Sequence, residues 1–171
     1  MELSLAKIPE EGLELTAATP KDHWFAKIVK DAFREAYTGK SAWVSLYFIK
    51  TGVNVSVNGS AEVDLSPTCD RCLEVFSRRL NVPIELVLVP AREIREPDDV
   101  NFSFYRGEKI AVGDFVREFL VLAVPLRFLC KADCKGICPS CGKNLNQGGC
   151  SCDRGQVDPR FAVLKNFKPS H

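Results

Sequence analysis

The spacing of apolar residues changes several times along this chain, and each change marks an element. Trp24, Phe25, Ile28, Val29, Ala32, Phe33, Ala36 and Tyr37 recur at helical period. Thr19-Pro20 is placed to start that helix, with Thr19 as N-cap, and Gly39 to end it. Such a stripe either packs on the protein's own sheet, the simpler expectation, or binds a partner. From Ala42 the pattern turns to β: Trp43 to Ile49 is rich in aromatic and branched residues. Val53, Val55 and Val57 then alternate with polar residues, as do Ala61, Val63 and Leu65. Asn58-Gly59 between them reads as a hairpin, and a three-residue loop from Asn58 to Ser60 would oppose Val55 to Val63 and Val53 to Leu65.

A further strand set is expected from about Leu73 to Val89, with Val82, Ile84, Leu86 and Leu88 alternating. Residues Glu93 to Val100, acidic and containing Pro97, read as a surface loop, followed by a short strand at Phe102 to Tyr105. Asp114 can cap a second helix that turns Phe115, Phe119, Leu122 and Leu126 to the core before Pro125 ends or kinks it. Asp158-Pro159 would open a last short helix carrying Phe161, Leu164 and Phe167. The sum is an α+β fold: a mostly antiparallel sheet, open or barrel-like, with two main helices. Residues 1–129 form the sheet domain, and residues 130–171 a Cys-rich satellite packed on it.

Composition narrows the class. A chain of 171 residues with 46% hydrophobic and 26% charged content folds, and a formal charge of +1 excludes a polycation that coats nucleic acid indiscriminately. The start, Met1 to Leu5, lacks the basic and apolar regions of a signal peptide. The longest apolar run, Phe119 to Val124, is too short for a bilayer. A reducing cytoplasm and no membrane are therefore the expectation, and there cysteines favour metal over disulfides.

Eight cysteines fall in two places. Cys69-Asp70-Arg71-Cys72 lies mid-chain, and Cys130, Cys134, Cys138, Cys141, Cys150 and Cys152 crowd near the C-terminus. Cys138-Pro139-Ser140-Cys141-Gly142 has the form of a zinc knuckle, in which two thiolates point the same way across a tight turn. Cys150 and Cys152 are the nearest sulfurs to complete it. Cys69, Cys72, Cys130 and Cys134 would then form a second Zn²⁺ site across 57 intervening residues. A rival set joins Cys130, Cys134, Cys138 and Cys141 and leaves the other four unpaired.

Closed four-sulfur zinc is structural, since catalytic zinc keeps an open position. The two histidines, His23 and His171, lie beside no cysteine, and no metalloprotease or deaminase pattern occurs. No enzyme activity and no small-molecule substrate are expected. The competing thiol-oxidoreductase reading of Cys69/Cys72 has Arg71 to lower a thiol pKa, but its flanks are β rather than the strand-to-helix turn such motifs use.

Three blocks in order resemble the YceD family of large ribosomal RNA subunit accumulation proteins. They are Cys69 to Phe76, Cys130 to Asn146 around both Cys pairs, and Asp158 to Leu164. The resemblance implies a factor for ribosome assembly or rRNA processing whose partner is large-subunit rRNA or its precursor. From Arg127 to His171 there are eight basic and three acidic residues, a surplus suited to phosphate contacts. Arg71, Lys135, Lys143, Arg160 and Lys165 are the candidate RNA-binding residues, with Phe128 or Phe161 available to stack a base. Alternatively the charges only solubilise the satellite, and the chain is an adaptor for ribosomal proteins acting through the Trp24–Tyr37 stripe or the acidic loop.

Overall fold

The computed structural model describes residues 1–91, 102–152 and Arg160. Its strands are β1 (Leu3–Ser4), β2 (Leu13–Ala18), β3 (Ala42–Thr51), β4 (Asn54–Leu65), β5 (Arg78–Pro90), β6 (Phe102–Tyr105) and β7 (Lys109–Ile110). The helices are α1 (His23–Phe33) and α2 (Val112–Leu122). The main sheet runs β2-β3-β4-β5-β6, and β1 pairs with β7 in a separate two-stranded sheet. Every pairing is antiparallel except β5–β6, which is parallel.

The fold is thus α+β with a mostly antiparallel sheet, as the sequence suggested. The sheet stays open, with β2 and β6 as its edges, so the barrel alternative is set aside. One face is dry. Val44, Leu46 and Phe48 from β3, Val55, Val57 and Val63 from β4, and Ile84 and Leu88 from β5 are all at most 2% exposed. Phe25, Val29 and Phe33 of α1, with Val112, Val116 and Leu120 of α2, are buried in the same cluster. Each such side chain contributes about 1.5–3 kcal/mol by leaving water. The helical stripe therefore packs on its own sheet.

Several local expectations are corrected. Asn58-Gly59 is no hairpin but the middle of the 12-residue β4. The reversal lies earlier, where Thr51 pairs with Asn54 around Gly52, whose φ is +62°. Val55 therefore opposes Lys50 and Leu88, not Val63, and Val53 sits in the turn. Gly59 serves close approach instead: an added Cβ would lie 2.0 Å from the Ser45 carbonyl oxygen.

The first helix starts at His23, with Asp22 at its N-cap position but its carboxylate on the Ala18 amide, and gives way to a 3-10 turn at Arg34–Ala36, short of Gly39. Thr19 does not cap it; its hydroxyl accepts from the Ala42 amide at 3.0 Å and ties the helix approach to β3. Asp114 falls inside the first turn of α2, whose cap is Ala111. Leu122 and Leu126 are not in the core, at 77% and 103% exposed: Leu122 is the last residue of α2, and Leu126 lies beyond its end. The strand expected from about Leu73 is β5, which begins at Arg78. Strands β1 and β2 had no counterpart in the sequence reading. The acidic loop and the Asp158-Pro159 helix lie outside the described residues. Among the described residues, no helix is long and apolar enough to cross a membrane.

Substituting Gly59→Val should destabilise the sheet by about 3 kcal/mol or more, because backbone rather than a flexible side-chain tip blocks the added atoms. Urea unfolding of the two proteins measures it.

Candidate metal centres

Eight sulfurs gather into two groups of four, within each of which all sulfurs lie within 4.8 Å of one another. Cys69, Cys72, Cys130 and Cys134 form an inner group, and Cys138, Cys141, Cys150 and Cys152 an outer one. Cys130 and Cys134 are thus parted from Cys138 and Cys141, which the rival set would have joined.

The turns that present the first two sulfurs of each group are built alike. In the loop between β4 and β5, the Cys69 amide donates to the Glu74 carbonyl and the Leu73 amide to the Cys69 carbonyl, both at 2.9 Å. In the tail, the Cys138 amide donates to the Lys143 carbonyl and the Gly142 amide to the Cys138 carbonyl, again at 2.9 Å. An isolated bridge flanks each turn, Thr68 with Val75 and Ile137 with Asn144. The fifth residue of each is left-handed: Leu73 at φ +62° and Gly142 at φ +72°. Glycine enters that region without a Cβ clash, whereas leucine is strained there. The second knuckle was legible from its Cys-x-x-Cys-Gly, and the first was hidden by leucine in the glycine's place.

The inner group closes onto the sheet domain through backbone contacts. The Asp70 amide donates to the Phe128 carbonyl at 2.8 Å, and the Phe128 amide returns a bond to Asp70 Oδ2 at 2.7 Å. Arg71 Nη1 donates to the Cys134 carbonyl at 3.1 Å and weakly to that of Ala132 at 3.4 Å. Cys69 Sγ lies 3.8 Å from Cys134 Sγ, and Cys72 Sγ 3.7 Å from Cys130 Sγ. Disulfide sulfurs would be about 2.05 Å apart. Four sulfurs each about 2.3 Å from a tetrahedral zinc lie about 3.8 Å from one another. The donor set and spacing therefore fit a closed tetrahedral metal.

Electrostatics divide the thiols. Burial pushes the Cys69 thiol up, but backbone bonds from Cys130, Cys72 and Arg71 outweigh it and bring it down to about 6. Backbone bonds from Cys141 and Ser140 likewise bring Cys138 down to about 6. Burial, then the Cys134 thiol, push Cys130 up to about 12. The Cys141 thiol, then burial, do the same for Cys152. Each group so offers at least one ready thiolate beside a reluctant thiol, which a divalent cation would relieve of its proton.

The groups differ in setting. Cys69, Cys72 and Cys134 are buried, while Cys141 is exposed and Cys150 and Cys152 are half-buried. Among the basic candidates, Lys135 is exposed beside an open groove shared with Leu145, Asn146, Gly148 and Gly149. Lys143 is exposed with its Nζ on the Gly149 carbonyl at 3.0 Å. Arg71 is the brace described above, Arg160 is exposed, and Lys165 lies outside the described residues. Phe128 packs against the main core, and Phe161 also lies outside the described residues. The sequence reading missed Asn146, whose amide reaches an inner-group sulfur; nothing in its spacing announced that contact.

Comparison with known proteins adds a family. The family described as large ribosomal RNA subunit accumulation protein YceD matches residues 57–168. The Arabidopsis thaliana protein named large ribosomal RNA subunit accumulation protein YCED homolog 1, chloroplastic, is 22% identical over 171 residues, covering 83% of this chain and 53% of that protein. Uncharacterized proteins of Mycobacterium bovis and Mycobacterium tuberculosis are 31% identical over 115 residues, covering 64% of this chain and 54% of theirs. The chain thus spans about half the length of the curated relatives it matches. No solved structure matches it.

Because the two knuckles share one backbone, their fifth positions should respond oppositely. Leu73→Gly should stabilise the folded chain by up to about 1 kcal/mol, and Gly142→Ala should cost about 1 kcal/mol or more. Denaturant midpoints for the two variants check both signs.

Proposed function

This chain belongs to the YceD family of large ribosomal RNA subunit accumulation proteins, and from that premise we propose that it is a non-enzymatic factor binding large-subunit rRNA or its precursor through a metal-braced basic tail. The observation that carries the reading is the pair of four-sulfur groups. They bracket a segment too poor in apolar residues to hold itself, and that segment bears Lys131, Lys135 and Lys143 on its surface.

Two structural Zn²⁺ ions are the cofactors this reading requires. When bound, each would cross-link its loop, and zinc sites in small peptides are worth roughly 10–16 kcal/mol. Cys69 and Cys72, buried in a strand-to-strand loop, favour that role over thiol exchange. Residues 1–129 act as the sheet domain and 130–171 as the satellite that reads phosphate. Lys135 is the leading contact, with Lys143, Arg160 and Lys165 as further candidates and Arg71 bracing the Cys134 carbonyl. The site of action is the cytoplasm, where thiols stay reduced beside assembling ribosomes.

A second reading has its own observation. The sheet face that the described residues leave open carries Trp43, Tyr47, Phe102 and Phe104, each 39–45% exposed, a surface suited to a ribosomal protein.

Elemental analysis should find two zinc ions per chain. Cys138→Ser should then lose the outer ion and tail protection in hydrogen exchange while the sheet stays protected. In salt titrations against a large-subunit rRNA fragment, Lys135→Ala should weaken binding and reduce the log–log slope by about one. Unchanged slopes for Lys135→Ala, with binding to a ribosomal protein lost in Trp43→Ala, would favour the adaptor instead.

A further inference from the structure

The two sulfur groups are joined by more than the three residues between Cys134 and Cys138. Asn146 sits in the 3-10 turn Leu145–Gln147, inside the stretch that the outer group closes between Cys141 and Cys150. Its side chain nevertheless serves the inner group, where Nδ2 donates to Cys134 Sγ at 3.3 Å.

The amide has one sensible orientation. Asn146 Oδ1 accepts from the Lys135 backbone amide at 2.9 Å, which places Nδ2 toward the sulfur. Asn144 Oδ1 fixes the turn by accepting from Asn146 Nδ2 at 2.8 Å and from its backbone amide at 2.9 Å. Neighbouring contacts hold the same seam. Gln147 Nε2 donates to Glu74 Oε1, and Gly136, at φ +74°, lies so close to the Arg71 carbonyl that an added Cβ would stand 3.0 Å away.

The groups also differ in what they need from the chain. The outer ligands span 15 residues, Cys138 to Cys152, whereas the inner group must close the 57 residues between Cys72 and Cys130. Closing a longer loop costs more entropy, so the inner site gains most from any partner held ready for it.

We infer that Asn146 couples the two centres: the outer group, once organised around its metal, holds the Asn146 amide on Cys134 and raises the metal affinity of the inner group. A donor aimed at a ligating sulfur favours its thiolate and fixes its direction, and such outer partners typically set metal affinity by 10–100-fold. Linkage makes the effect mutual, so the inner metal strengthens the outer by the same factor. Asn146 is a positioning residue, for it acts on the metal only through Cys134. The inference rests on the reading that both groups hold metal.

Zinc competition with a calibrated chelator on the full-length chain tests it, with the cysteine 13Cβ NMR shifts of each group reporting its own site. Wild type must first bind two ions per chain; fewer would overturn the two-metal reading and the coupling with it. Given two, Asn146→Ala should weaken the inner site about 10–100-fold. Cys138→Ser/Cys141→Ser, which removes the outer site, should weaken the inner one similarly, and adding Asn146→Ala to it should do no more. Asn146→Asp keeps an acceptor for Lys135 but sets a negative oxygen against the sulfur, so it should weaken the inner site at least as much as alanine. Effects that multiply, or an inner site indifferent to both Asn146 variants while the sheet melts normally, would overturn the coupling.

Discussion

The rest of this molecule depends on one long-range constraint, the meeting of Cys69 and Cys72 with Cys130 and Cys134. Those sulfurs come from a loop between two central strands and from the segment just past α2, yet they converge within 4.8 Å. Apolar packing alone would not bring them there. The inner cluster is little more than the cysteines themselves, with Phe76 and Leu129 partly buried against them. The paired bonds between Asp70 and Phe128 set the approach, and the sulfurs finish it. Among the described residues, 131–152 take their position relative to the sheet from that junction and from the Gln147–Glu74 contact beside it.

The sheet and the tail hold themselves by different physics. β3, β4 and β5 bury a continuous dry face against two helices, so their order follows from area removed from water. The tail offers short turns, exposed lysines and glycines at positive φ, a composition that cannot form a core. Two sets of four sulfurs, spaced as a tetrahedral metal would need them, could supply the cross-links that a core does not.

Sequence legibility tracks this division. Local sulfur spacing revealed Cys138 and Cys141, and counting revealed the four-plus-four division. The strands Trp43 to Ile49 and Val82 to Leu88 were visible in alternation. The error at Asn58-Gly59 came from weighing a turn dipeptide above phase. Val55, Val57, Ala61, Val63 and Leu65 keep one parity across the glycine, as a single strand would, and Gly59 is there because Ser45 leaves no room for a Cβ. Leu126 was misplaced because a helical stripe was extended past the end of α2, and Leu122 because it is that helix's last residue, where little packs over it. Leu73 escaped notice because its strain exists only in the folded knuckle. Asn146 did so because an asparagine's partner eleven residues back, and a sulfur beyond it, leave no periodic trace.

The split ligand set also has a consequence in time. Cys72 is translated 62 residues before Cys134. At 5–20 residues per second the first knuckle spends about 3–12 s as an incomplete dithiol while the remaining strands and α2 emerge. During that interval Cys69 and Cys72 are two neighbouring thiols with no second pair to close over them, open to oxidants or to a borrowed metal ion. The outer four, by contrast, leave the ribosome almost together. The first knuckle is therefore most exposed to redox damage while those 62 residues are made, and the arrival of Cys134 ends that exposure.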